Sequence, residues 1–72
     1  MNDINYVIGK ELKKIRKEKG LSVKYIAKLC NISTSHLNNI ENGNKGLTID
    51  ALELHLNSLN ISGVEFFNRI KK

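Results

Sequence analysis

The sequence predicts an all-α fold of five helices, and two observations support this. Apolar residues recur at helical spacing almost throughout the chain, and no alternating stretch typical of a β-strand is longer than a few residues. Serine or threonine stands where four of the helices would begin, and proline is absent. A length of 72 residues allows one domain, residues 1–72, with a small core.

The first predicted helix runs from about Ile4 to Lys19 and has two contrasting faces. The apolar face carries Ile4, Ile8, Leu12 and Ile15, and the opposite face carries Lys10, Lys13, Lys14 and Lys17. Gly20 follows a basic last turn and is therefore expected to end the helix.

Two short helices come next. Ser22 is the expected N-cap of the second helix, whose apolar residues are Val23, Ile26, Ala27, Leu29 and Cys30. Asn31 tolerates the positive φ that a tight turn requires. Ser33 caps a third helix at about 34–42, which Gly43 ends.

The last two helices follow a polar loop at residues 44–46. Thr48 caps a fourth helix that extends to about Asn60. Its predicted inner face carries Ile49, Leu52, Leu56 and Leu59. Ser62 caps a short fifth helix with Val64, Phe66, Phe67 and Ile70.

The segment from Leu21 to Gly43 carries the functional signal. Two short helices joined by a turn of three or four residues are the layout of a DNA-binding helix-turn-helix. Ala27 is small where the helices cross, and the anchors of the third helix are Ile32, Leu37 and Ile40. Few helical hairpins of other purpose would leave the outer face so polar. A net charge of +5 also favours a polyanionic partner, although lysines can equally be a solvated surface.

The run LSVKYIAKLCNISTSHLNNIENG resembles, without gaps, the Cro/C1-type helix-turn-helix family of prokaryotic and phage repressors. The tail from Gly46 to Phe67 is most similar to the small controller proteins of restriction–modification systems. Val23 departs from the family's usual Gln, Asn31 from Gly, and Leu47 from Pro. The resemblance implies a five-helix, lambda-repressor-like domain.

By this resemblance the third helix enters the major groove of DNA. The residues at the matching base-reading positions are Thr34, Ser35, His36, Asn38 and Asn39. The residues at phosphate-contacting positions are Ser22, Lys24, Asn42, Asn44, Lys45 and Arg16. The alternatives are a solvated helix face, an ordinary helix cap and a flexible polar loop. Arg16 and Glu41 match a partly buried ion pair of the family, the alternative being two separate surface charges.

The last two helices carry more apolar surface than one small core can bury. The residues expected at a two-fold dimer interface are Leu54, Leu56, Val64, Phe66, Phe67 and Ile70. Such a dimer would hold two recognition helices about 34 Å apart, one turn of B-DNA. The alternative is that Phe66 and Phe67 close the base of a monomer.

No residue pattern indicates catalysis or metal binding, so we expect no enzyme, no cofactor and no small-molecule ligand. Cys30 is expected in the core and His55 on a helix surface or at an interface. The lone thiol and the absence of membrane-length apolar runs or a secretory signal favour the cytoplasm. The sequence therefore predicts a homodimeric, sequence-specific transcriptional regulator on double-stranded DNA, the alternative being an antitoxin-type or antirepressor-type interaction module.

Overall fold

The computed structural model describes residues 3–71, which form five α-helices and the turns between them. The helices are α1 (Ile4–Glu18), α2 (Val23–Leu29), α3 (Thr34–Glu41), α4 (Ile49–Ser58) and α5 (Gly63–Lys71). Each boundary that the sequence predicted lies within two residues of the one observed, and the described residues contain no strand. No described helix combines the length and apolar character needed to cross a membrane.

Side-chain caps start every one of these helices. Each capping oxygen accepts a hydrogen bond from the backbone N–H three residues on, at 2.9–3.0 Å. The caps are Asp3, Ser22, Ser33, Thr48 and Ser62. The last four confirm the sequence-based prediction, whereas Asp3 was not predicted. Because these helices have at most 15 residues, satisfying the free N–H groups of the first turn contributes substantially to their stability.

Two asparagines in the left-handed conformation end helices without glycine. Asn31 has a φ of 58°, as predicted for the turn between α2 and α3, and Asn60 has the same φ between α4 and α5. Asparagine adopts this conformation more readily than other residues with a Cβ atom. The two turns thus replace the glycine turns seen at Gly20 and Gly43.

One core lies between the five helices, with α1 packed on α3 and α5, and α2 packed on α3 and α4. Its buried apolar residues are Leu12, Ile15, Ile26, Ala27, Cys30, Leu37, Ile40, Leu52, Leu56, Leu59, Ile61 and Phe66. The burial of Cys30 confirms the prediction. Leu56 and Phe66 were predicted at a subunit interface; Phe66 is instead fully buried within the single chain, whereas Leu56 is buried at the base of a surface groove.

Helix α4 is rotated relative to its predicted orientation. Ile49, expected to face inward, is 80% exposed, and His55, expected on a helix surface or at an interface, is 1% exposed. The inner stripe is therefore Leu52, His55, Leu56 and Leu59. Apolar residues surround most of this helix, so periodicity alone did not select one stripe.

Helix α1 makes its closest approach to the rest of the chain at the end of α3. A Cβ atom at Gly9 would overlap the carbonyl oxygen of Ile40 and lie 3.0 Å from that of Glu41. A Cβ at Gly43 would lie 2.7 Å from the Cα of Tyr6. These glycines let the two backbones touch, which fixes the end of α3 and the loop after it against α1.

A buried ion pair fixes the same junction. The Arg16 Nε donates to one carboxylate oxygen of Glu41 at 2.7 Å, and Nη2 donates to the other at 3.1 Å. The Arg16 Nη1 donates to the carbonyl oxygen of Leu21 at 2.8 Å. The predicted pair is confirmed, and it joins α1, the α1–α2 turn and the end of α3.

Replacing one partner of this pair tests its structural role. We expect Glu41→Gln to lower the free energy of unfolding by about 3–5 kcal/mol, because Arg16 keeps its charge in a buried position without a counter-charge. Urea unfolding followed by circular dichroism measures this. Glu18→Gln is the matched control, since the Glu18 side chain is 47% exposed where it binds Arg69; we expect it to cost less than about 1 kcal/mol. Equal losses in the two variants would contradict the interpretation.

Candidate nucleic-acid interface

The outer face of α3 is a small polar surface. Thr34, Ser35, Asn38 and Asn39 are all exposed, whereas Leu37, Ile40 and Glu41 on the inner face are buried. No side-chain hydrogen bond to another described residue involves any of the four exposed side chains. Their donors and acceptors are therefore available to a ligand, and amides and hydroxyls of this kind match the hydrogen-bonding edges of bases in a major groove.

His36 departs from the other predicted base-reading residues. It is half-buried on the flank of α3, where it lines a cavity together with Ile40, Leu54 and His55. The helical turn places it toward α4, so the structure does not bring it onto the outer face of α3 with the four exposed residues.

The residues predicted to contact phosphates lie at the two ends of the helix-turn-helix. Ser22 caps α2, and Lys24 is exposed in its first turn. Asn42, Asn44 and Lys45 are exposed directly after α3. The backbone N–H of Asn44 donates to the carbonyl of Asn39 at 2.9 Å, which holds this loop to the end of α3. Polar groups thus flank α3 on both sides, as a backbone-contacting surface requires.

Arg16 does not belong to this surface. Its side chain is 8% exposed, and three of its nitrogens already donate to Glu41 and to the Leu21 carbonyl. The prediction that Arg16 contacts phosphate is wrong for this arrangement, because the guanidinium is enclosed by its structural partners.

An additional ion-pair cluster joins α1 to α5. Arg69 Nε donates to Glu11 at 2.6 Å, and Arg69 Nη2 donates to both oxygens of Glu18 at 3.0 Å. Hydrogen bonds to Glu18 and Glu11 raise the pKa of Arg69. Sequence reasoning missed this cluster, because its members are more than 50 residues apart and no local pattern connects them.

The same cluster changes the electrostatics of α1. Both acidic residues of this helix are bound by Arg69, whereas Lys10, Lys14 and Lys17 remain exposed, with Lys10 Nζ lying 5.7 Å from the centre of the Tyr6 ring. The solvent face of α1 is therefore strongly positive, which favours attraction of a polyanion over long distances.

Exposed apolar side chains form a second surface, away from α3. Ile49 is 80% exposed, Val64 74% and Phe67 54%. Val64 and Phe67 lie one turn apart on α5, and Ile49 and Phe67 line the same groove of about 280 Å³. We call these three residues the α4–α5 apolar surface. Leu54, predicted with them, instead lines the cavity beside His36, and Ile70 is half-buried against the core.

Residues 12–66 of this chain match the sequence pattern of the helix-turn-helix family. The control protein C.MunI from Mycoplasma sp is 37% identical over 73 aligned positions, which cover 100% of this chain and 99% of that protein.

Solved structures agree with this assignment. The wild-type restriction–modification controller protein C.Esp1396I superimposes with a TM-score of 0.89 at 31% identity, over 99% of this chain and 92% of that one. The tetramer of that controller in complex with its natural 35-base-pair operator gives the same TM-score and identity, over 99% and 93%. The clp gene regulator ClgR from C. glutamicum, with a TM-score of 0.92 at 20% identity over 97% and 90%, shares the fold.

With the match spanning both helices of the motif and most of the core beneath them, the chain belongs to the helix-turn-helix family of DNA-binding regulators, a class of proteins that are not enzymes.

Proposed function

We propose that this protein is a controller-type transcriptional regulator that binds a two-fold symmetric operator as a homodimer, in the cytoplasm, and represses or adjusts transcription of its own gene. The observation that carries the proposal is the outer face of α3, where four polar side chains are exposed and make no side-chain hydrogen bond to the described residues. The similarity to C.MunI and to C.Esp1396I supports a role in restriction–modification control.

Base reading is assigned to Thr34, Ser35, Asn38 and Asn39. Asparagine can bond both N6 and N7 of adenine, and the methyl group of Thr34 can pack on the methyl group of thymine. Helix α3 has no Arg or Gln, the residues that would make bidentate hydrogen bonds to guanine or adenine from longer side chains. Its own side chains therefore favour A·T pairs over G·C pairs. His36 is assigned to the edge of the interface, since it packs toward α4.

The part of the DNA affinity that does not depend on base sequence is assigned to the polar residues at the two ends of the helix-turn-helix. Ser22 and Lys24 lie at the positive end of the α2 dipole, and Asn42, Asn44 and Lys45 lie in the loop fixed against α1. Contacts from these residues to phosphates would set the depth and direction of α3 without carrying sequence information.

The α4–α5 apolar surface is assigned to the contact between two copies of the chain. Ile49 and Phe67 line a groove with a floor of buried core residues, and Val64 is exposed one turn before Phe67 on α5. Pairing through one such surface is isologous and gives the two-fold symmetry that a palindromic operator requires. Occupancy of the operator then depends on protein concentration, which suits an autoregulatory circuit.

A second candidate function uses the same apolar surface for another protein, as in an antitoxin or antirepressor. The exposed Phe67 favours it as much as it favours self-association. The polar outer face of α3 has no evident purpose in that function, so we place it second.

The decisive experiment is selection of bound duplexes from a randomised pool at about 150 mM salt, a concentration that suppresses non-specific binding. A two-fold symmetric motif that also occurs upstream of the protein's own gene is expected. Retained DNA without a motif would contradict specific recognition. Absence of retained DNA would favour the protein-partner function.

Two matched substitutions separate base contacts from phosphate contacts. We expect Asn39→Ala to cost about 1–3 kcal/mol of binding free energy at one base position and to relax the preference there. Lys45→Ala should weaken binding to all sequences alike and reduce the salt slope by about one unit. Repeating the selection and titrating against salt measure both effects. An unchanged preference in Asn39→Ala would remove Asn39 from base reading, and a sequence-dependent loss in Lys45→Ala would contradict its phosphate role.

Association is tested by placing a charge on the α4–α5 apolar surface. We expect Phe67→Asp to produce monomers in analytical ultracentrifugation, because a buried carboxylate without a partner opposes the contact. The Phe67 side chain is 54% exposed, so the core is retained. Leu54→Asp is the control, since Leu54 is 46% exposed on a different side of α4 and should leave the dimer intact. Dissociation in Leu54→Asp but not in Phe67→Asp would place the interface on the other side of α4.

A further inference from the structure

His55 is a buried titratable group that the DNA-binding surface does not use. It lies on the inner face of α4 with 1% of its surface exposed, and its Nε2 has no hydrogen-bond partner among the described residues. Burial lowers the pKa of this imidazole, and the nearby carboxylate of Glu41 raises it by a smaller amount. The folded chain therefore holds His55 in its neutral form at neutral pH.

The charged groups near His55 offer no free partner for a protonated ring. The carboxylate that acts on His55 is that of Glu41 on α3, and both of its oxygens accept hydrogen bonds from Arg16 of α1. His36 of α3 and Lys45 of the following loop line the same cavity as His55. The ammonium group of Lys45 repels an imidazolium, and His36 supplies no negative charge to stabilise one.

The other elements near His55 offer no free partner for a protonated ring either. The end of α2 contributes Cys30, whose Sγ lies 3.5 Å from the Ser58 Oγ. The charged residues of α4 itself, Asp50 and Glu53, are exposed on its outer side. On α5, Glu65 and Lys71 are exposed, and Arg69 binds the acidic residues of α1. A proton on His55 therefore adds a poorly compensated charge to the interior.

The position of His55 connects this charge to the DNA-binding surface. A cavity of about 230 Å³ lies between α4, the flank of α3 and the loop after it. Its walls include Ile32, Ile40, Leu47 and Leu54, with His36 and Lys45 on the side of the DNA-binding surface. The cavity is large enough for water, but the His55 Nε2 atom has almost no surface exposed to it. A charged imidazole therefore gains hydration only if α4 shifts relative to α3 and the loop.

We propose that His55 is a proton switch: protonation in mild acid opens the contact of α4 with α3 and the 45–48 loop, and thereby weakens binding to DNA. The inference rests on the proposed DNA-binding function. The opened chain takes up a proton near the ordinary histidine pKa of about 6.5, and the closed chain does so only at lower pH. The ratio of closed to open chains is unaffected above that pH and falls below it by up to about tenfold per pH unit in each subunit.

The test compares two variants in which the other histidine is absent. His36→Gln retains His55, and the double variant His36→Gln/His55→Leu has no imidazole at all. Leucine fills a similar volume, and because Nε2 has no partner, the replacement breaks no hydrogen bond made by that atom. Binding to a fluorescent mixed-sequence duplex at low salt is measured from about pH 7.5 to 5.5, spanning the ordinary histidine pKa, with helix content followed by circular dichroism.

We expect His36→Gln to lose affinity several-fold across this range and the double variant to lose much less. The same pH dependence in both variants would overturn the proton switch. Binding at pH 7.5 that does not change on acidification leaves the DNA-binding function intact and rejects only the switch. Absence of duplex binding at every pH contradicts the DNA-binding function itself.

A second measurement needs no substitution at His55. Nuclear magnetic resonance of the unmodified protein follows the His55 ring signal and the backbone amide signals of residues 45–48 during acidification. We expect these amides to shift, and their protection against hydrogen exchange, taken relative to the intrinsic exchange rate at each pH, to fall with the same midpoint as the His55 ring. Amides that stay unchanged across that midpoint would overturn the proposal, whether or not the double variant folds.

Discussion

The buried pair of Arg16 and Glu41 is the contact on which the arrangement of the other elements depends. It binds the end of α3 to α1, and a third hydrogen bond from Arg16 holds the turn that leads into α2. A helix of eight residues has little stability in isolation, so the direction of α3 must come from such tertiary contacts. The net energetic gain of a buried ion pair is small, but its directional hydrogen bonds define one geometry. We therefore regard it as an orienting device more than a source of stability.

The two arginines pair with acidic residues in different places, one in the interior and one near the surface. Arg16 is enclosed and neutralises one acidic residue inside the protein. Arg69 lies near the surface and binds both acidic residues of α1, Glu11 and Glu18, which offsets part of their negative charge beside the lysines of that helix. The result is a positive face on α1 next to the loop that follows α3. Because exposed charges are screened over about 10 Å at 0.1 M salt, this face contributes to the approach of DNA more than to its final affinity.

Local rules predicted most of the fold, and long-range packing explains what they missed. Ser22, Ser33, Thr48 and Ser62 define helix starts by chemistry that is contained within four residues, so the helix boundaries could be predicted. The family pattern located α3 and the Arg16–Glu41 pair. The rotation of α4, with His55 inside and Ile49 outside, could not be predicted, because Leu, Ile and Ala occupy half of the positions of that helix and are spread around it. The Arg69 cluster likewise depends on where α5 meets α1, which no local pattern encodes.

The site was predicted less completely than the fold, for a related reason. The sequence pattern predicts that α3 is the recognition helix but does not specify the rotation of α3 about its own axis. That rotation turns His36 toward α4 while Ser35 and Asn39 face outward, and burial of Leu37 and Ile40 determines it. Similarly, the burial of Phe66 and Leu56 became visible only once α4 and α5 were packed together.

The outer face of α3 has a consequence for how such a regulator can evolve. Its four polar side chains lie outside the core and make no side-chain hydrogen bonds to the described residues. Surface substitutions away from structural contacts usually change stability by less than about 0.5 kcal/mol. With the base-reading role proposed above, substitutions at these positions would alter the preferred operator while the fold is retained. Divergent copies of the gene could acquire separate operators by a few point mutations, so that two such regulators can coexist in one cell without cross-talk.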